Sequence, residues 1–330
     1  MTDIDLKDRK ILYHLDLNCR QSNSQIGKKV GLSRKVVEYR INKMEEKGVI
    51  TGYWTAINTY KLGYYVFRIY INFMDVSSTI KNEIIHYFCN AKNVWAVLTA
   101  KGPVDLDVIL WVNDVFKFNM KWEETLQKYG SYFVDASVSI LNEVISCKKS
   151  YLLPKNYDKN RIMYITNCSG QPGQIDETDY RLLDLIALNG RMSTIELADK
   201  LNCSSQKINY HLKGLLKKNI IKAFRVSIDD AKLGMKSCAI DVYLKQHDQK
   251  QQMIKHVINN SYIFDMMSKS IGYSDFGFQL TIKSMDDVFN SMEELEKKFP
   301  NAIRKQESWM STTCHKERWL PEMSEKDFKK

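Results

Sequence analysis

A block of roughly sixty residues occurs twice in this chain, the second time 171 positions after the first and without a gap. Ile4, Asp5, Asp8, Leu12, Leu17, Asn18, Arg20, Ser33, Tyr39, Lys47, Ile50 and Lys61-Leu62-Gly63 recur as Ile175, Asp176, Asp179, Leu183, Leu188, Asn189, Arg191, Ser204, Tyr210, Lys218, Ile221 and Lys232-Leu233-Gly234. Solenoid and propeller units repeat every few tens of residues, whereas this period is the length of a whole small protein. The 330 residues are therefore two fused copies of one unit. Each copy is long enough for a small module and a second core.

The formal charge of +10 is concentrated in the repeated block. Residues 1–52 hold eleven Lys/Arg against seven Asp/Glu, and residues 175–226 hold nine against six. A basic excess in two matching segments predicts a polyanionic partner, double-stranded DNA. No apolar run approaches the length of a bilayer span, and the N-terminus lacks the basic start of a signal peptide. Seven cysteines, an odd number without a C-x-x-C pair, argue against a disulfide framework or a zinc ribbon. A cytoplasmic protein with reduced thiols and no membrane partner is expected.

The basic block has helix-turn-helix punctuation. Ile11, Leu12 and Leu15 form an apolar stripe opened by Asp5 as N-cap. Ser22-Asn23-Ser24-Gln25 and Ser193-Thr194-Ile195-Glu196 read as capping boxes, each starting a two-turn helix. Gly31 and Asn202 stand where a left-handed helix end is required. Ser33 and Ser204 cap a third helix, whose buried face is Val37, Ile41 and Met44 in one copy and Ile208, Leu212 and Leu215 in the other. Such a third helix enters the major groove with its first two turns against base edges. The predicted DNA-binding residues are Lys28, Lys29, Ser33, Arg34, Lys35, Glu38, Tyr39, Arg40 and Lys43, and in the second copy Ser204, Ser205, Gln206, Asn209, Tyr210, His211 and Lys213.

After Gly63 the period changes. Strand 65–73, helix 79–89, strands 94–100 and 106–112, helix 115–129 and strand 133–146 give the order βαββαβ of a ferredoxin-like domain. The second copy repeats it with strand 237–244, helix 249–259, strands 263–270 and 276–283, helix 284–298 and strand 302–314. Helices cover one face of such a sheet, so the bare face is expected to pack on the sheet of the other copy. The fold class is α+β: two winged helix-turn-helix domains and two ferredoxin-like domains in an intramolecular pseudo-dimer.

The chain resembles the Lrp/AsnC ("feast/famine") family of transcription regulators. The likeness rests on Asp5, Asp8, Ile11-Leu12, Arg20, Val30-Gly31-Leu32-Ser33, Arg40, Gly48-Val49-Ile50 and Leu62-Gly63. Lys149-Ser150-Tyr151-Leu152-Leu153-Pro154, echoed by Arg318-Trp319-Leu320-Pro321, looks like the family's ending. The resemblance implies helix-turn-helix domains at 1–54 and 175–225 and effector (RAM) domains at 64–153 and 235–321, with a linker at 154–174 and a tail at 322–330. It also implies a single-chain version of the family's dimer, which assembles further into homo-oligomers in many members. Extended at roughly 3.3 Å per residue, the linker spans about 65 Å, enough to join the copies. In the family a small effector, often an amino acid, binds near a Gly-x-x-Asp loop. Gly102-Pro103-Val104-Asp105 and Gly272-Tyr273-Ser274-Asp275 match it, so Gly102, Asp105, Gly272 and Asp275 are the expected effector residues. Pro103 removes one amide donor from the first loop.

The third helices have diverged. Arg34 and Lys35 suit guanine edges or phosphates, whereas the second copy offers Ser205 and Gln206, with Asn209 in place of Glu38 and His211 in place of Arg40; Gln and Asn favour adenine. An asymmetric target with unlike half-sites is expected. No nucleophile–base pair, phosphate loop or metal motif accompanies these features: Cys314 and His315 are adjacent in a strand and point to opposite faces. Neither cofactor nor enzymatic activity is expected. The competing readings are an enzyme like the siroheme decarboxylases, which resemble the same architecture, and an architectural DNA-binding protein.

Overall fold

The computed structural model describes residues 4–154, 160–260 and 263–323. The first copy supplies α1 (Leu6–Leu17), α2 (Asn23–Val30), α3 (Arg34–Glu46), β1 (Ile50–Ile57), β2 (Tyr65–Phe73), α4 (Ser78–Asn90), β3 (Val94–Lys101), β4 (Leu106–Val112), α5 (Val115–Tyr129) and β5 (Phe133–Cys147). A strand within the linker, β6, covers Ile162–Asn167. The second copy supplies α6 (Glu177–Ala187), α7 (Thr194–Lys200), α8 (Ser205–Lys217), β7 (Ile221–Ile228), β8 (Lys236–Leu244), α9 (Lys250–Asn260), β9 (Phe264–Ile271), β10 (Phe276–Ile282), α10 (Met285–Lys298) and β11 (Ile303–Glu317). Residues 155–159 of the expected linker and most of the expected tail lie outside the described residues.

Local chemistry sets the helix ends. Asp5 and Asp8 cap each other's backbone amides at the start of α1, and Asp176 and Asp179 do the same for α6. Ser22 and Gln25 form the expected reciprocal box. Ser193 caps Glu196 at 3.1 Å but receives no return bond from that side chain among the described contacts, so the second box is half made. Gly31 (φ 68°) and Asn202 (φ 48°) take the left-handed conformation that ends the short helices. All seven cysteines are free, and burial pushes the Cys19 and Cys147 thiols up to about 12.

Each ferredoxin-like half orders its strands as expected, β5-β2-β4-β3 and β11-β8-β10-β9. The halves do more than lie face to face. β3 pairs antiparallel with β11, and β5 with β9, so eight strands close into one ring. Closure removes the sheet edges. On the outer face of the first half, Ile69, Ile71 and Val108 pack with Ile84 and Phe88 of α4. On the second, Ile240, Phe278 and Leu280 pack with Met253 of α9 and Val288 of α10.

The inside of the ring is polar and differs between copies. Arg68 donates to both Asp107 oxygens, at 2.7 and 2.6 Å, and sits over the rings of Tyr70 and Trp309. Trp309 Nε1 and Ser274 Oγ each donate to Asp241 at 2.8 Å, and burial raises the pKa of that carboxyl. Arg68 faces Ser139 across the ladder, whereas its counterpart Ala239 faces Trp309. Each pair sets a large side chain opposite a small one, and the two strands exchange roles between the copies.

Two pairings were not expected. β6 runs antiparallel to β5 with Val144 opposite Thr166, so the linker is built into the sheet rather than only joining the copies. β1 and β7 form a two-stranded antiparallel ladder between copies, with Trp54 opposite Arg225.

Candidate nucleic-acid interface

The β1–β7 ladder carries one helix-turn-helix module on each side, and the modules lock across it. Cys19 N donates to Phe224 O at 2.8 Å, and Gly190 N to Tyr53 O at 3.0 Å. Arg20 Nη1 reaches the carbonyls of Gly190 and Met192 at 3.0 and 2.8 Å, while Arg191 Nη2 donates to Asn23 Oδ1 at 2.6 Å. Gly190 is required there, because a Cβ would lie 2.7 Å from Trp54 O. Between the modules lies a polar cleft of about 580 Å³ lined by Arg20, Arg34, Arg191, Asn23 and Thr194 among others. Arg20 and Arg191 were absent from the predicted interface. Their match across the repeat was visible in the sequence, but their convergence depends on the β1–β7 pairing.

The faces of α3 and α8 that leave the core are polar and solvated. Arg34, Lys35, Glu38 and Lys43 are exposed on α3, as is Tyr39, whose ring lies 5.9 Å from Lys43 Nζ. On α8, Gln206, Asn209, Tyr210 and Lys213 are exposed and Ser205 is half-buried; Lys207, not predicted, is exposed beside them. Lys28 and Lys29 are exposed on α2. The hydroxyls of Ser33 and Ser204 accept from Val36 N and Lys207 N, so their chemistry is spent on capping.

His211 is buried away from this surface, unlike the sequence expectation, and Arg40, its side chain 26% exposed, is engaged with α1. Arg40 Nη1 donates to Asp5 Oδ2 and Asp8 Oδ1, both at 2.8 Å, tying α3 to α1. His211 is buried, with Nδ1 2.7 Å from Asp179 Oδ1. Both side chains bond to the first helix because a carboxylate pair at its N-terminus attracts a cationic or hydrogen-bonding group.

Beneath the modules the two sides of the ladder differ. On one side Arg225 of β7 donates to both oxygens of Asp16 on α1, at 2.7 and 2.9 Å, and to Ser146 and the Cys147 carbonyl of β5. Lys149 N also donates to Asp16, at 3.1 Å, and Lys149 Nζ lies 3.4 Å from Asp265. On the other side, Trp54 stacks on Trp319 at 3.9 Å, and Trp95 lies parallel to Trp111 at 5.8 Å. Arg225 of β7 is therefore tied to the ring by ions, whereas Trp54, its neighbour on β1, is tied by aromatic stacking.

The Gly-x-x-Asp loops are occupied structurally. Asp105 Oδ2 accepts from Phe73 N at 3.0 Å, and Asp275 Oδ2 accepts from Leu244 N at 2.7 Å, so each carboxylate closes the end of its domain's first strand. A Cβ on Gly102 would lie 2.9 Å from Ser308 O, and one on Gly272 2.5 Å from Val138 O. The glycines therefore serve close approach between the copies. Tyr273 stacks on Tyr70 at 3.9 Å and Val104 is buried, so both loops turn side chains into the ring. A separate pocket of about 420 Å³ lies against β6, lined by Asn142, Glu143, Cys168, Lys250 and Lys269 among others.

A winged helix-turn-helix DNA-binding family model matches residues 4–51 and 175–222. The HTH-type transcriptional regulator LrpA of Pyrococcus horikoshii is 31% identical over 111 residues, 34% of this chain and 77% of that protein. The proline dehydrogenase transcriptional activator of Rhodobacter capsulatus is 42% identical over 77 residues, and the match spans 47% of its length. Among solved structures, the siroheme decarboxylase NirDL superposes over 98% of this chain and 96% of its own, with a TM-score of 0.63 and 14% identity. That likeness is one of fold. No helix among the described residues is long and apolar enough to cross a membrane.

Proposed function

The chain belongs to the Lrp/AsnC family of helix-turn-helix transcriptional regulators, and from that premise we propose a sequence-specific DNA-binding regulator that presents both reading helices from one polypeptide. The observation carrying this reading is the pair of modules fixed across β1–β7, each with a capped third helix whose polar face is solvated. Exposed cations on α3 and α8 supply phosphate contacts, and Arg34 with Lys35 against Gln206 with Asn209 supplies unlike base preferences. The operator is therefore asymmetric, with half-sites about one helical turn or a multiple apart.

Selection of bound sequences from a random pool, with and without amino acids, tests the operator and the effector together. The expected result is a bipartite, non-palindromic site; a perfect palindrome overturns the asymmetry. Arg34→Ala with Lys35→Ala weakens binding and flattens its salt dependence by up to about two in the logarithmic slope, with unfolding unchanged. A small zwitterionic effector has its best match in the 420 Å³ pocket, where Lys250 lies beside the Lys269–Glu143 ion pair, closed at 2.6 Å. An amino-acid-dependent shift in the selected sequence supports that assignment, and its loss on Lys250→Ala localises it.

The whole-length fold likeness to NirDL favours a second reading, a tetrapyrrole-processing enzyme. The ring interior weighs against it, being occupied by Arg68, Tyr70, Asp241, Tyr273 and Trp309. A tetrapyrrole absorbance band in the purified protein, with no salt-sensitive DNA affinity, reverses the ranking.

A further inference from the structure

The two copies hold the same carboxylate pair with different counter-groups. In the first, Asp5 and Asp8 cap each other's amides, at 2.8 and 3.1 Å, and Arg40 Nη1 bridges Asp5 Oδ2 and Asp8 Oδ1 at 2.8 Å each. In the second, Asp176 and Asp179 repeat the capping at 2.7 and 3.4 Å, but His211 occupies the place of Arg40. Its Nδ1 meets only Asp179 Oδ1, at 2.7 Å. Asp176 Oδ2, the counterpart of the oxygen that Arg40 holds, has no donor among the described residues. Lys218 Nζ lies 3.9 Å from Asp179 on the oxygen facing away from the imidazole and donates to Gln174 O, so it neutralises the pair only in part.

We propose that Asp176, Asp179 and His211 form a divalent metal site on the second helix-turn-helix module, in which the ion does the work of the first module's guanidinium. One donor atom from each residue lies within 4.8 Å of the other two. Two carboxylate oxygens and one imidazole nitrogen suit a borderline first-row ion such as Zn²⁺, Co²⁺ or Mn²⁺, with water completing the shell. The ion replaces the 2.7 Å hydrogen bond between Nδ1 and Asp179 Oδ1, which must open to admit metal–ligand bonds of about 2 Å, and the imidazole then carries its proton on Nε2. Binding pins α8 to the N-terminus of α6 as Arg40 pins α3 to α1, so the second reading helix is firm only when loaded. Asp176 is exposed, which gives the ion a route in, while Asp179 and His211 are buried and hold it.

The test is equilibrium dialysis of the full chain against Zn²⁺, Co²⁺ and Mn²⁺ at neutral pH, with Mg²⁺ as the hard-ion control, alongside thermal unfolding with and without metal. The comparison is wild type against His211→Arg, which recreates the first copy's arrangement, and Asp176→Asn, which keeps a capping oxygen. Wild type is expected to bind one equivalent more than either variant and to gain thermal stability on loading. His211→Arg is expected to be at least as stable as metal-free wild type and unresponsive to the ion. Equal stoichiometry in wild type and His211→Arg overturns the proposal, as does a metal-free His211→Arg chain less stable than wild type. None of these readouts depends on DNA binding, so the proposal and the regulator reading fail separately.

Discussion

Asp16 shows what one side chain can hold. Its two oxygens take Arg225, from the other copy, and the Lys149 amide, from the end of the ring. Three parts of the molecule therefore meet on one buried carboxylate. Removing one partner of a buried pair leaves the other charged and unsolvated, which costs far more than the pair's net contribution. Asp16→Ala is expected to destabilise the chain by about 3–5 kcal/mol, read as a fall in the denaturant midpoint. The double variant Asp16→Ala with Arg225→Met should recover much of that loss. A double variant no better than the single would show that Asp16 acts through its other contacts. Nothing in the sequence marked this pair: the other polar residues of the helix that holds Asp16 are half-buried, and the repeat places Ala187 and Trp54 at the matching positions.

The elements themselves were legible wherever periodicity and capping are local. Helix α5 and strand β2 fall on the expected residues, and the other ferredoxin-like elements differ by at most a few at their ends. Legibility failed where an element owes its form to a distant partner. Residues 50–57 and 221–228 become strands by pairing with each other, and 162–167 by pairing with β5. The exposed faces of α3 and α8 were read correctly in the main. The partners of Arg40 and His211 were not foreseen because a residue on a helix flank faces water or an adjacent helix depending on what that helix offers. The Gly-x-x-Asp loops make the same point, since their glycines answer to the opposing copy. Gly272 has a φ of +121°, and a Cβ there would strike Val138 O of β5. Gly272→Ala is expected to cost about 1–3 kcal/mol in stability, or more if β5 cannot shift. An unchanged unfolding midpoint would mean that the β5–β9 seam is looser than the geometry implies.

At the scale of the whole molecule, the ring belongs to neither copy. Arg68 and Asp107 in one half complement Ala239 and Gly277 in the other, and a Cβ on Gly277 would lie 2.8 Å from Asp241 Oδ1. Two second copies would bury paired Asp241 carboxylates with no arginine between them. A protease site placed between Pro154 and Asn160 therefore gives a sharp test. Once cut, the chain is expected to run as a single particle on size exclusion without denaturant, because the β3–β11 and β5–β9 ladders hold it. Separation into halves would assign the cohesion to the tether instead. That arrangement also fixes how such a protein behaves among its relatives. A regulator that must find a mate in solution falls apart on dilution and can be captured by a paralogue, giving mixed species of unintended specificity. Here the ladders that join the copies lie within one polypeptide, so dilution does not part the two modules.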